Sequence, residues 1–194
     1  MTSARTLQLP DAPVLVTRAR DGLLMFPDGE VREFTAGTAK SAVEPPVIQC
    51  HSRATASRLG LKPVPGFDVL ELFAFVRPGE FCLPTVRGLA TATGVKSPDT
   101  MIEDGVALID ATRALLNEVM SWQDGDIRHA RAIAHVLERA GWSWGPSVLA
   151  AIGADPDEGG IGLSSLRVWT RLTPFEEHAP PPPPGNDAVS EQER

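Results

Sequence analysis

Apolar and polar residues divide this chain into a strand-rich front and a helix-rich back. Ala12–Thr17 (APVLVT) is a short β-branched run, Leu23–Phe26 (LLMF) is a second, and Val31–Thr35 alternates as a third strand. Arg18–Gly22 reads as a turn between the first two. Pro27-Asp28-Gly29 is strong turn chemistry between the second and third: proline presets φ, aspartate bonds local backbone, and glycine accepts positive φ. Three strands joined by two tight turns predict an antiparallel meander. Residues 36–46 are small and polar and end in Pro45-Pro46. Val47–Cys50 then reads as a fourth strand, short and apolar as a buried central strand is.

Helical spacing dominates from there. Arg53–Leu59 is expected as a helix capped by His51 or Ser52 and closed by Gly60. Asp68–Val76 could start as a strand and continue as a helix, Thr85–Thr93 is a short helix closed by Gly94, and Met101–Met120 is the best of all. Its apolar stripe is Ile102, Val106, Ile109, Leu116 and Met120, with Glu103 and Asp104 at the end where the helix dipole favours acids. Ile127–Ala140 and Ser147–Ile152 follow, the latter opened by Pro146. The expected fold class is therefore mixed α/β with an antiparallel start and a helical end.

The tail differs. Pro180–Pro184 is an unbroken proline run, a stiff spacer of roughly 15 Å at ~3.1 Å per residue. Beyond it, Ser190-x-x-Glu193 is a capping-box signature. A chain that ends as a helix begins reads as the front of a longer protein, the alternative being a natural disordered terminus.

Composition narrows the class. With 42% apolar residues in 194, the chain can bury a sizeable core. No run of about 18 apolar residues offers a membrane span, and the N-terminus leads into no signal-peptide core, so the expected compartment is the cytoplasm. There two cysteines read as reduced thiols. The net charge of −7 argues against a general nucleic-acid coat, yet residues 45–100 carry six bases against four acids. Arg53, Arg58, Lys62 and Arg87 in that stretch are the candidate phosphate contacts, the plainer reading being a mildly basic solvated face.

Other chemistry is sparse. Cys50 and His51 are neighbours on a strand, so their side chains point to opposite faces and cannot pair. No spacing of Cys50, His51, Cys82, His129 and His135 suits zinc, and no Gly-rich phosphate cradle is present. Trp122, Trp142, Trp144 and Trp169 read as packing residues. Asp68, Glu71 and Asp110 could serve a two-metal nuclease, but each reads more simply as a cap or a solvated helix position, and the first strand holds no acid.

The order of elements resembles the DEDD exonuclease family, whose fold is RNase H-like. The segments that carry the likeness are Val47–Ser52 (VIQCHS), Phe67–Phe75 (FDVLELFAF), Leu83–Ala90 (LPTVRGLA) and Ile109–Leu116 (IDATRALL). The wording of Phe67–Val76, Trp142–Pro146 (WSWGP) and the proline run is also similar to the front of alphaproteobacterial DinG-like ATP-dependent DNA helicases. The resemblance implies a degenerate exonuclease-like domain over residues 10–122, a helical extension over 123–178, and a linker over 179–194.

Residue by residue, the family's catalytic set does not carry over. Its first acidic pair falls on Thr17-Arg18-Ala19, its middle acid near Thr55 and its general-base histidine on Gly105; only Asp110 matches an acid. The resemblance then implies a bacterial pseudoenzyme. Its role would be to dock on a C-terminal helicase motor or to guide single-stranded DNA, with no metal or cofactor of its own and with ATP and Mg²⁺ confined to the motor. The alternatives are an active two-metal 3′–5′ exonuclease with displaced ligands, and a protein-interaction module without DNA binding.

Overall fold

The computed structural model describes residues 4–154. The proline run, Trp169, the final capping box and the 179–194 linker lie outside them. The first three strands are β1 (Val14–Arg18), β2 (Asp21–Met25) and β3 (Val31–Thr35), joined as the expected meander with β1–β2 and β2–β3 antiparallel. Arg18 pairs with Asp21, so the first turn is only Ala19-Arg20, shorter than the sequence suggested, and Ala19 takes the left-handed φ of 51°. The second turn is built as its residues dictate. The Phe26 amide donates to Glu30 O at 2.8 Å, Asp28 Oδ1 accepts the Glu30 amide at 3.0 Å, and Gly29 sits at φ 91°.

A helical turn unforeseen in the small polar stretch, α1 (Ala39–Ala42), precedes β4 (Val47–Gln49). Then come α2 (Ser52–Leu59) and β5 (Gly66–Asp68), and β4 lies parallel to both β1 and β5. The result is a five-stranded mixed sheet in the order β3-β2-β1-β4-β5. Gly66 is obligatory here. At φ 156°, a Cβ on it would fall 2.1 Å from Val47 O on the neighbouring strand.

Strand alternation sends side chains to two faces. Leu15, Leu24, Phe34 and Val47 pack with Ala39 of α1, Leu59 of α2 and Val64 on one face. Val14, Val16, Leu23 and Ile48 face a larger core. That core is built by α3 (Val69–Val76), α4 (Val86–Thr93), α5 (Met101–Ser121), α6 (Asp124–Arg139) and α7 (Gly145–Ile152). Asp68 and Phe67 thus end a strand and Val69 begins a helix, as the ambiguous segment suggested. Gly60, Gly94 and Gly153 close α2, α4 and α7 in left-handed conformations.

The buried stripe of α5 matches the expected one only in part: Leu116 is buried and Ile109 and Met120 pack against the core. Ile102 and Val106 are 50% and 45% exposed, while Ala107, Leu108, Ala111, Leu115, Leu116 and Val119 are buried. Small residues decide the choice, since Gly105, Ala107 and Ala111 let the helix approach the sheet closely; a Cβ on Gly105 would lie 2.9 Å from the Met25 methyl of β2. Thr100 and Glu103 form a full capping box, which holds the Glu103 carboxyl below the usual range through the Thr100 and Asp99 amides.

Trp144 is fully buried, stands edge-on to Phe67, and donates from Nε1 to Asp68 O at 2.7 Å; Trp142 and Trp122 pack near Phe75. These three tryptophans are packing residues, as read. No helix among the described residues is long and apolar enough to cross a membrane.

Candidate functional site

Successive strands are laid down on one side of β1 as β2 and β3 and on the other as β4 and β5, so the winding of the sheet reverses between the parallel neighbours β1 and β4. In open α/β sheets, the space beyond the C-terminal ends of the strands at such a point is the ready-made ligand crevice. Here it is a cleft of about 340 Å³. Thr17 and Arg18 come from the end of β1, Cys50 and His51 from just past β4, and Thr55 and Arg58 from α2. Pro84, Thr85, Val86 and Arg87 at the start of α4 and Asp104 of α5 close it. Three guanidiniums face a single carboxylate along this lining.

The three cations are not equivalent. Arg18 is committed: Nε donates to Asp104 Oδ2 at 2.5 Å, and Nη1 and Nη2 donate to Asp99 O and Thr100 O. Its pKa is raised chiefly by the Asp104 bond. Arg87 reaches Asp99 only at 3.5 Å, with both side chains open to solvent. Arg58 has no hydrogen bond or ion pair among the described residues. Arg58 and Arg87 are therefore the charges left to act on something outside the protein.

The structure brings together two of the four predicted phosphate contacts. His51, Thr55 and Arg58 share the face of α2 that lines the cleft; Arg53 sits about 200° round the helix from His51 and points elsewhere. Lys62 lies beyond Gly60, exposed and outside the cleft. Neither Arg53 nor Lys62 joins the site.

The candidate acids disperse. Asp68 is buried, and both its oxygens are taken: Oδ2 accepts the Ser52 amide at 2.8 Å and Oδ1 the Leu70 amide at 3.0 Å. It caps α3 and, across the sheet end, supplies the capping bond that His51 and Ser52 side chains do not give α2. Glu71 is exposed, with its carboxyl pushed up by partial desolvation and by Asp68. Asp110 pairs with Arg113 at 3.1 Å, six residues along α5 from Asp104 and outside the cleft. No three His, Cys, Asp or Glu side chains among the described residues converge as a metal site. The alternative of a two-metal centre does not fit the described residues: Asp68 has both oxygens bonded to backbone amides, Asp110 is paired with Arg113 outside the cleft, and Asp104 is bonded to Arg18.

Cys50 and His51 lie past the end of β4 rather than within a strand, and both cysteines are free and half-buried. Burial first, then the nearby Asp68, pushes the Cys50 thiol up to about 12. It is no nucleophile at neutral pH. Sequence reasoning missed Arg18 as the organiser of the cleft wall. Its partner Asp104 is 86 positions away, and no local spacing announces such a pair.

Comparison with known proteins adds no relative: no family model, no curated protein and no solved structure matches the chain.

Proposed function

We propose that this chain is a non-catalytic, RNase H-like accessory domain that guides single-stranded DNA at the front of a DinG-like helicase motor. The observation that carries the reading is spatial. The positions onto which the exonuclease family's first and middle acids map, Thr17-Arg18 and Thr55, come from two separate stretches of sequence yet line one cleft, with Asp104 beside the mapped Gly105, while Asp110 lies outside it. The sheet order β3-β2-β1-β4-β5, antiparallel then parallel about β1, is the order such a domain requires. The one carboxylate in the cleft, Asp104, is bonded to Arg18, and two guanidiniums remain available, which suits holding a phosphate chain and not cutting it.

Gly105, the position onto which the family's general-base histidine maps, packs closely on β2. A Cβ there would lie 2.9 Å from the Met25 methyl, so a side chain at this position would first have to displace the end of Met25. ATP and Mg²⁺ belong to the motor in this reading, and the setting is the cytoplasm. The test is fluorescence anisotropy of a labelled single strand with the 194-residue chain, across a salt series with and without Mg²⁺. The expected result is salt-sensitive binding with the strand left intact. Shortening of the strand with Mg²⁺ overturns the pseudoenzyme reading, and no binding at low salt overturns the DNA-guiding role in favour of docking alone.

A further inference from the structure

The segment between α3 and α4 carries the most exposed large apolar side chain among the described residues. Phe81 is 84% exposed and Leu83 56%, while Cys82 between them tucks against the main core. This in-and-out pattern is that of an extended stretch, and it puts both apolar side chains on the outward face. The stretch is braced. Thr85 N–H donates to Leu83 O at 2.7 Å, and Leu83 lies so close to Gly88 of α4 that a Cβ there would fall 2.3 Å from Leu83 O. Glu80, the acid on this stretch, is 3.7 Å from Arg77.

Phe81 and Leu83 together present a small apolar ledge to solvent rather than one scattered side chain. What adjoins it in the chain selects the user: Pro84 to Arg87, the next residues along, line the same cationic cleft as Arg58. An aromatic face beside a cationic groove is the arrangement that holds a single strand, bases stacking on the ring and phosphates tracking the charges. We infer that Phe81, supported by Leu83, is a base-stacking ledge for the single strand whose phosphates pass Arg58 and Arg87. The inference rests on the DNA-guiding reading and adds to it a contact to bases, of a kind every base can satisfy. A protein partner on the same ledge would require no bases.

The test uses the full chain and two labelled strands of about 15 nucleotides, oligothymidylate and an abasic strand of equal charge. Stacking on one ring corresponds to about a 5- to 150-fold preference for the strand with bases. Phe81→Ala removes that preference and leaves the salt dependence unchanged; Phe81→Trp keeps it and has its added emission quenched by oligothymidylate. Because Phe81 is almost wholly exposed, neither change threatens the fold. Equal binding of both strands by the parent, or a preference that survives Phe81→Ala, overturns the ledge while leaving phosphate guidance standing. Absence of binding to both strands at low salt overturns the guidance reading and the ledge with it.

Discussion

Asp68 decides whether a candidate nuclease acid is chemistry or architecture, and replacing it gives a sharp answer. Its carboxylate accepts the Ser52 and Leu70 amides at 2.8 and 3.0 Å, tying the starts of α2 and α3 to the end of β5. A hydrogen bond to a charged group contributes about 1.5–3 kcal/mol, and an N-cap alone about 0.5–2 kcal/mol. The two bonds share one carboxylate and do not add fully, so Asp68→Ala is expected to cost about 3 kcal/mol. For a domain of this size, that lowers Tm by about 6–12 °C. Asp68→Asn keeps one acceptor but turns an NH₂ toward the other amide, and is expected to lose about half as much. The Trp144 bond goes to the Asp68 main-chain oxygen and survives both changes, so the tryptophan emission of the folded state stays put. Thermal and urea unfolding, read by circular dichroism, measure the cost. A loss under about 0.5 kcal/mol would refute the capping account. So would a Tm of the parent that rises with Mg²⁺ and stops rising in Asp68→Ala, because both oxygens would then be serving a metal.

Further outcomes follow from the same geometry. Gly66→Ala forces a Cβ to 2.1 Å from Val47 O at φ 156°, and is expected to cost about 3 kcal/mol or more in urea unfolding; a folded variant of parental stability contradicts the β4–β5 register. Arg18→Met strands the buried Asp104 carboxylate and, discounted for the partial exposure of the pair, should cost about 1–2 kcal/mol, with Asp104→Leu in the same chain restoring most of it. Cys50 holds its proton to about pH 12 in the fold, whereas a free thiol releases it near 9.0, so its contribution is complete below pH 9 and is lost as pH rises toward 12. Iodoacetamide at pH 8 should label Cys50 only after denaturant is added, and rapid labelling of the native chain would contradict its burial.

How far the sequence speaks for itself varies with the range of the forces involved. The meander was legible because β-branched runs and Pro27-Asp28-Gly29 act over a few residues, and the glycine stops at 60 and 94 are equally local. The buried stripe of α5 was legible only in part. Ile102 and Val106 look like core by periodicity, and the smaller Gly105 and Ala107 win because the sheet needs a close approach that only the fold reveals. The brief α1 turn was hidden in a stretch without apolar period. In the site, Arg58 and Arg87 were legible as cations but indistinguishable from Arg53 and Lys62. What separates them is the helical angle on α2 and the packing of α4 on α5, which leaves Arg87 lining the cleft. The Arg18–Asp104 pair is a product of long-range packing alone, and the exposure of Phe81 shows only in the fold.

The claim at the centre is that Arg58 and Arg87 hold the phosphates of a single strand, and the salt dependence of binding tests it most directly. Each phosphate contact adds about 0.7 to the slope of log affinity against log salt for a single strand. The parent chain is expected to bind oligothymidylate with a clear negative slope, and Arg58→Ala with Arg87→Ala to flatten that slope by about 1.4 while Arg53→Ala and Lys62→Ala leave it unchanged. A slope untouched by the cleft pair, or lost with Arg53 and Lys62, would contradict the account.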